Sequence, residues 1–206
     1  MLKQFEESAF VVMDKRFVCA IKKIRDLISR SHVPEDPQHA ENTLEWVLKL
    51  NPNADKALQL AAIAHDIERA DEKRKVHRQH YDDYDSFKKA HAANSARILH
   101  EIAAKCNLDQ TIIREACRLV KCHETGGDAR SNLLKDADTI SYFEINMPLY
   151  FIREGYDETL KRCVWGYKRL SPRMRKICAS IEYPNQELNH LLKEVIIKCD
   201  QVTPSF

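Results

Sequence analysis

A histidine and an aspartate stand side by side at the end of an apolar, alanine-rich segment, residues 61–66, with the sequence Ala-Ala-Ile-Ala-His-Asp. A carboxylate that folding removes from water is costly unless it is paired with a cation or coordinates a metal ion. Any fold that buries this segment must therefore supply a positive partner for Asp66, and the imidazole of His65 can bind the same ion. The pair is the first candidate for a functional site.

Composition and periodicity predict an all-α protein. The 206 residues contain only 4 glycines, extended alternation of β-branched residues is rare, and the length suits one domain with an ample core. We therefore predict a single helical domain over residues 1–206. Apolar residues at helical spacing predict helices at about 8–30, 37–50, 54–66, 87–105, 109–123 and 131–147, with two or three C-terminal helices over about 158–200.

Capping and turn residues predict several helix boundaries. Asp36 suits the N-cap of the second helix, and Pro37 suits its first position. Gly126-Gly127 is typical of a helix end. Pro172 and Pro184 separate the C-terminal helices, because proline cannot continue a helix that precedes it.

Charge and cysteine usage narrow the classes of partner. With 33 basic and 31 acidic residues the net charge is +2, which gives no strong attraction to nucleic acid or to an anionic membrane. No run is long and apolar enough to span a membrane, and the N-terminus lacks a secretion signal. The 7 cysteines show no paired spacing, so we expect reduced thiols buried as small hydrophobic side chains in a cytoplasmic protein.

Four of the nine histidines fall on apolar helical faces. Residues at i, i+4, i+7 and i+11 form one stripe of a helix. The stripes are His39, Thr43, Trp46 and Leu50; Ala54, Leu58, Ala61 and His65; His91, Ser95, Ile98 and Ile102; and Ile112, Ala116, Leu119 and His123. The histidines that fail this test are His32, His77, His80, His100 and His190. Four buried imidazoles beside a carboxylate are costly unless a cation binds them together.

A carboxylate from the C-terminal half would complete such a site, and residues 133–140 offer two. Asp138 shares a helical stripe with Leu134, whereas Asp136 shares one with Ile140. Periodicity leaves both open as the ligand, and the other aspartate would then be a supporting or capping group.

This ordered set of residues resembles the HD-domain superfamily of metal-dependent phosphohydrolases, an all-helical family named after the adjacent His-Asp pair. The family's usual ligands are a histidine, the pair itself and a distant aspartate. The matching residues here are His39, His65-Asp66, and Asp138 within Ala137-Asp138-Thr139-Ile140. Members that bind two metals add two histidines, matched here by His91 and His123. The resemblance favours Asp138 over Asp136 and covers about residues 37–145, leaving the region from Glu158 onward without a motif.

The resemblance implies a metal-dependent phosphohydrolase that cleaves a small phosphoester, with a nucleotide as the favoured substrate. Histidine and carboxylate ligands suit one or two divalent ions of Mn, Fe, Co, Ni or Zn. Such an ion lowers the pKa of bound water and polarises a phosphoryl oxygen. Asp66 would bridge two ions if both sites are filled.

Further residues have two interpretations each. Glu68 either orients the attacking water, as a general acid or base beside Asp66, or is a solvated helix-end carboxylate. Arg69 either contacts a phosphate or forms a surface salt bridge. Lys168 and Arg169 begin a basic cluster that either binds a charged substrate or is a solvated face. The polar segment 71–85 is either a functional loop or lid, or a solvated excursion without a role. Thr125-Gly126-Gly127 either binds an anion or, more simply, forms a helix C-cap. Tyr81 and Tyr84 would line the mouth of a pocket.

Two alternatives to the phosphohydrolase stay open. Some members of the superfamily with the six-residue set hold a di-iron centre and are oxygenases. The second alternative is a non-catalytic regulatory module that keeps the fold. The complete ligand set favours a module that still binds metal, because a chain freed from metal binding has no physical reason to bury four imidazoles.

Overall fold

A computed structural model describes residues 14–200 of the chain, and all regular structure in that range is helical, with no strand. The helices are α1 Lys15–Ile28, α2 Asp36–Leu50, α3 Lys56–Ala64, α4 Tyr84–Lys105, α5 Gln110–Cys122, α6 Ala129–Ser141, α7 Met147–Arg169, α8 Pro172–Cys178 and α9 Gln186–Asp200. Short helical turns lie at Ile67–Ala70, Arg78–His80 and Tyr142–Asn146. The all-α prediction is confirmed. Residues 8–13 of the predicted first helix lie outside the described range.

Aspartate side chains cap the N-termini of five helices. Each accepts a hydrogen bond from a backbone N–H of the first turn, at 2.7 to 3.0 Å. The caps are Asp14 for α1, Asp55 for α3, Asp83 for α4, Asp109 for α5 and Asp128 for α6. Because each cap satisfies an otherwise unpaired donor, these aspartates determine where the helices begin.

Helix α2 begins within one residue of its predicted start, but the predicted N-cap role of Asp36 is wrong. Asp36 lies inside the first turn, and no side chain caps this helix. Its buried carboxylate accepts a hydrogen bond from Ser31 Oγ at 2.6 Å and pairs with Arg69 Nη2 at 3.0 Å. Tertiary partners have taken the oxygens that a cap would use.

The helical structure between residue 147 and the predicted C-terminal helices from about residue 158 was not predicted. A wide helical turn continues α6 directly into α7, which starts at Met147. Pro148 lies in the first turn of α7, where its missing N–H breaks no intrahelical bond. The chain changes direction within α7 at Gly155, whose φ of 79° favours glycine. The predicted breaks before Pro172 and after Pro184 are confirmed.

Two hydrophobic clusters form the core. One is built from α1 to α6 and includes Leu60, Ile98 and Leu119. The other lies among the end of α6 and helices α7 to α9. Trp46 and Leu50 of α2 pack against both clusters. The C-terminal helices are thereby joined to the first cluster through the C-terminal half of α2, whose first turn carries His39.

The cysteines depart from the prediction of reduced thiols. A disulfide joins Cys19 of α1 to Cys106 at the end of α4, across a sequence separation of 87 residues. Because α1 packs against α4, tertiary structure brings together two thiols that no local spacing pairs. Three other cysteines are buried as predicted, namely Cys163, Cys178 and Cys199. Between residues 14 and 200, no helix has the length and apolar character needed to cross a membrane.

Candidate metal centre

The predicted burial of the histidines is confirmed for all nine. The four on apolar stripes are at most 3% exposed: His39, His65, His91 and His123. The other five are exposed. The four buried imidazoles come from the N-terminal turn of α2, the residue after α3, the first half of α4 and the residue after α5.

Two groups of candidate ligands lie side by side within residues 14–200. In each group the donor atoms all lie within 4.8 Å of one another. The first group is His39, His65 and Asp138; the second group is Asp66, His91, His123 and Glu124. All six residues predicted as metal ligands are in these groups, together with one that was not predicted.

Asp138, not Asp136, faces the imidazoles. Its Oδ1 lies 3.3 Å from His39 Nε2 and 3.4 Å from His65 Nε2. Asp136 points elsewhere and accepts a hydrogen bond from the Ser171 backbone N–H at 2.9 Å, ahead of α8. Asp138 therefore lies at the candidate metal site and Asp136 beside the start of α8, a distinction that periodicity could not make.

Asp66 lies between the two groups. Its Oδ1 is 2.7 Å from His91 Nε2, 3.6 Å from His123 Nε2 and 3.8 Å from His65 Nε2. Its Oδ2 pairs with Arg69 Nη1 at 2.9 Å. One carboxylate oxygen therefore contacts or approaches imidazoles of both groups, because Asp66 follows His65 at the point where α3 ends.

Each of the four imidazoles is oriented through its Nδ1 atom. His65 and His123 donate to carbonyl oxygens, His91 to a carboxylate, and His39 to a serine hydroxyl that itself donates to the His39 carbonyl at 3.2 Å. The pairs are His65 Nδ1–Ala62 O, 2.8 Å; His123 Nδ1–Val120 O, 2.6 Å; His91 Nδ1–Glu68 Oε1, 2.7 Å; and His39 Nδ1–Ser141 Oγ, 2.8 Å. These partners place a proton on each Nδ1 and turn each Nε2 toward the site.

All four Nε2 atoms consequently face the site, where each can carry a proton or bind a metal ion. His39 Nε2 and His65 Nε2 are only 3.1 Å apart. His123 Nε2 has no hydrogen-bond partner among the described residues. Facing lone pairs repel unless a proton or a metal ion lies between them, and a histidine held by its second nitrogen is the usual arrangement of a metal ligand. The donor set fits a divalent metal ion.

The carboxylates of the site stay ionised. Burial raises the pKa of Asp66 and Asp138, but the neighbouring imidazoles outweigh it and hold each pKa well below its ordinary value. Burial lowers the pKa of His65, and the nearby carboxylates more than reverse this. The pKa of His123 is likewise lowered by burial but raised overall to about 10, chiefly by Glu124. Buried negative charge therefore attracts either protons or a metal ion to the imidazoles.

Glu68 is buried, so its interpretation as a solvated helix-end carboxylate is wrong. Its Oε1 accepts from His91 Nδ1, and its Oε2 accepts from the Val76 backbone N–H at 2.8 Å. Asn94 Nδ2 donates to the same Oε2 at 3.2 Å. Glu68 thus orients an imidazole of the site and holds the loop that contains Val76, as a positioning residue. Its role as a general acid or base stays a prediction.

Glu124 is the residue that sequence reasoning missed. Its side chain is 5% exposed and its Oε1 lies 3.2 Å from His123 Nε2. Burial raises its pKa, but Lys88 and His123 outweigh that and hold the pKa well below the ordinary value. A signal was present, because Glu124 directly follows His123 as Asp66 follows His65.

The predicted substrate-binding cations separate into two kinds. Arg69 pairs with Asp36 and Asp66, so it contacts the site rather than a surface acid. Arg169 lies over the Trp165 ring at 4.3 Å and is 3.8 Å from Asp138 Oδ2. Lys168 is exposed and lines no part of the site, because adjacent helical residues point in directions about 100° apart. Its predicted place at the site is wrong.

A small cavity of about 30 Å³ and an open cleft of about 490 Å³ meet at Asp66. Both are lined by a set of basic and aromatic side chains: Arg69, Lys88, Arg162 and Trp165. Arg169 lines the cavity only. Tyr84 lines the cleft, with its ring edge-on to Trp165 at 5.4 Å, whereas Tyr81 packs against Phe87. The pocket mouth therefore includes Tyr84 and not Tyr81.

The segment after His123 is a helix cap. Gly126 has a φ of 72° and its N–H donates to the Cys122 carbonyl at 2.7 Å. The simpler interpretation of Thr125-Gly126-Gly127, a C-cap, is confirmed.

One protein family, described as a domain of unknown function and designated DUF4202, matches residues 23–192. The chain belongs to the DUF4202 family. The range shared with other DUF4202 chains contains both groups of candidate ligands and the basic and aromatic residues of α7, so the C-terminal helices are part of the same family unit as the histidines. No curated protein and no solved structure matches the chain.

Proposed function

We propose that this DUF4202 protein is a metal-dependent phosphohydrolase of the HD type that cleaves a small phosphoester, with a nucleotide as the leading substrate candidate. One observation carries the proposal. Four imidazole Nε2 atoms and two ionised aspartates converge beside a cleft lined by basic side chains. The candidate metal ligands and the cations suited to bind phosphate therefore surround the same space.

The metal would be held by the residues that already converge. His39, His65 and Asp138 would hold one ion, and His91 and His123 a second, with Asp66 between them. Imidazole and carboxylate donors suit Mn, Fe, Co, Ni or Zn. When bound, such an ion supplies an activated water and polarises a phosphoryl oxygen.

Basic side chains on the other side of the space are suited to hold the phosphate. Arg69, Lys88 and Arg162 line both the cavity and the cleft, and Arg169 reaches within 3.8 Å of Asp138. Guanidinium groups bind phosphate oxygens through paired hydrogen bonds. Fixed cations also stabilise the charge that develops on these oxygens in the transition state.

Aromatic side chains favour a substrate with a planar ring. Tyr84, Phe87 and Trp165 line the outer cleft, and stacking on aromatic side chains is worth about 1–3 kcal/mol per nucleobase. The cleft's volume of about 490 Å³ lies in the range typical of small-molecule sites. A nucleotide would place its phosphate near Asp66 and its base against these rings.

A di-iron oxygenase or a metal-binding regulatory module could use the same ligands. The four cations beside the ligands favour the phosphohydrolase, because guanidinium and ammonium groups that line a pocket are suited to bind the oxygens of an anionic phosphate. Glu68 also fixes His91 from behind, an arrangement that preorganises a site for catalysis.

The test is phosphate release by purified protein reconstituted separately with Mn²⁺, Fe²⁺, Co²⁺, Ni²⁺ or Zn²⁺. The panel contains nucleoside phosphates, a sugar phosphate and an aryl phosphate, each assayed with and without oxygen. We expect release to proceed anaerobically, to stop in His65→Ala and to continue in His100→Ala, which changes an exposed histidine of α4. Strict oxygen dependence, or no release with any metal, would overturn the proposal.

A further inference from the structure

The six predicted ligands divide unequally between the two groups. The first group has two imidazoles and a carboxylate of its own, Asp138. The second has His91 and His123, but without a seventh residue its only carboxylate would be the shared Asp66. Divalent ions bound by neutral imidazoles alone are held less tightly than ions with an added carboxylate, since opposite charges attract strongly where water is excluded. The second group would then be the weaker site.

The position of Glu124 removes this inequality. Its carboxylate lies within 4.8 Å of the donor atoms of Asp66, His91 and His123, and its side chain is buried. We infer that Glu124 is a further metal ligand, which gives the second ion a carboxylate of its own. Each ion is then bound by two imidazoles and one private carboxylate, with Asp66 shared between them. This inference rests on the metal centre of the proposed function but not on the reaction.

An unpartnered atom supports a ligand at this position. His123 is fully buried, and its Nδ1–H donates to Val120 O. Its Nε2 therefore faces Glu124 Oε1 at 3.2 Å, and an unprotonated imidazole nitrogen and a carboxylate oxygen are both acceptors. Among the described residues no donor satisfies His123 Nε2. Two acceptors at this separation need a proton or a metal ion between them.

The cations around Glu124 leave room for a metal. Arg169 Nη2 lies 3.0 Å from Glu124 Oε2, and Lys88 contacts Oε1. A carboxylate has about four acceptor positions, so Oε1 can bind an ion while Oε2 keeps its arginine. Lys88 contacts the oxygen that faces His123, and so its ammonium group competes with the second ion for negative charge.

This competition predicts effects of opposite sign. If Glu124 is a ligand, Glu124→Gln lowers the affinity for the second ion. Lys88→Met removes a competing charge, so the affinity for that ion stays equal or increases. If Glu124 serves only to neutralise Lys88 and Arg169, Glu124→Gln leaves metal binding unchanged.

The experiment is an equilibrium titration of metal-free protein with Mn²⁺ alone and with Zn²⁺ alone, followed by elemental analysis. For the unchanged protein we expect two ions per chain. For Glu124→Gln we expect one ion to bind as before and the affinity for the other to fall about tenfold or more. The matched control is Glu35→Gln, a buried glutamate paired with Arg153, which should keep both ions.

A second variant and a second readout distinguish the loss of a metal ligand from a folding defect. Glu124→Asp keeps the charge but shortens the side chain, and it should also weaken one ion. The visible spectrum of Co²⁺-loaded protein should change in both variants and not in Glu35→Gln. The inference is overturned if the unchanged protein saturates at one ion, or if Glu124→Gln binds two ions with undiminished affinity. Loss of one ion in Glu124→Gln would support it even if no phosphoester is hydrolysed.

Discussion

Glu68 Oε1 lies 2.7 Å from His91 Nδ1, so a buried carboxylate fixes the imidazole of α4 from the side opposite the candidate metal site. The other oxygen of Glu68 accepts a hydrogen bond from the backbone N–H of Val76. The orientation of one metal ligand and the path of the loop before α4 therefore depend on the same side chain. This arrangement matches the carboxylate–histidine pairs that orient ligands in known metal sites.

We predict that Glu68→Gln weakens metal binding by about 10- to 100-fold, the usual cost of losing such a partner. An amide in place of the carboxylate no longer offers a charged acceptor to His91 Nδ1–H. Metal titration of the purified variant measures the effect. The control is Glu101→Gln. Glu101 lies on α4, the helix that also carries His91, and the substitution removes its ion pair with Arg74. Unchanged metal affinity in Glu68→Gln would show that His91 is oriented without it.

Arg169 and Lys168 provide a matched pair of neighbouring cations. Arg169 reaches Asp138 and Trp165, whereas Lys168 is exposed. We predict that Arg169→Met lowers kcat/KM for a phosphoester by about 100-fold, since it removes a fixed charge near the phosphate, and that Lys168→Met has little effect. Metal content is measured in both variants, because Arg169 also pairs with Glu124. Equal losses in both variants would favour a diffuse basic surface over a built phosphate site.

The histidines could be predicted because each one lies on a helix or at its C-cap, where the backbone still has helical dihedral angles and the apolar stripe is a local property of the sequence. His39 and His123 needed no knowledge of which helices pack together. Lys168 and Arg169 could not be told apart in this way, since their region carries no motif and the approach of α7 to the site is a tertiary contact. Glu124 lies just beyond the end of α5, where helical periodicity no longer predicts which way a side chain points.

Tertiary partners also overrode local rules at two further positions. Asp36 has the chemistry and place of an N-cap, but Arg69 and Ser31 bind its carboxylate instead. Cys19 and Cys106 show no spacing that pairs them, and only the packing of α1 on α4 brings them together. The helix boundaries were more predictable, because caps and prolines act within a few residues of their own position.

Trp165 should distinguish a nucleotide from other phosphoesters. Its ring lines the cleft, 4.6 Å from the Arg162 guanidinium and 4.3 Å from that of Arg169, with Tyr84 edge-on to it. We predict that Trp165→Leu raises KM for a nucleotide by about tenfold, in line with about 1–3 kcal/mol of lost stacking per base. KM for a sugar phosphate should change little, and Trp165→Phe should restore most of the nucleotide affinity. Equal changes for both substrates would mean that no base stacks on this ring.

The metal-free protein should lose stability as the pH rises above about 6.5. The pKa of His123 is raised to about 10 in the folded chain, from an ordinary value of 6.5, and the pKa of His65 is also raised. A histidine whose pKa is raised by folding adds stability that is fully present below about pH 6.5 and is lost as the pH rises through the folded value. Bound metal requires deprotonated imidazoles, so metal binding strengthens over the same range.

We therefore expect the Tm of chelator-treated protein to fall between pH 6.5 and pH 9, and the gap between metal-loaded and metal-free Tm to widen. Thermal unfolding followed by circular dichroism measures both. In His123→Asn the Tm of the metal-free protein should fall less over this pH range, because one of the two imidazoles whose pKa is raised has been removed. His100→Ala, which changes an exposed histidine, should behave like the unchanged chain. A metal-free Tm that stays constant or rises over this range would mean that the buried imidazoles carry no proton in the absence of metal.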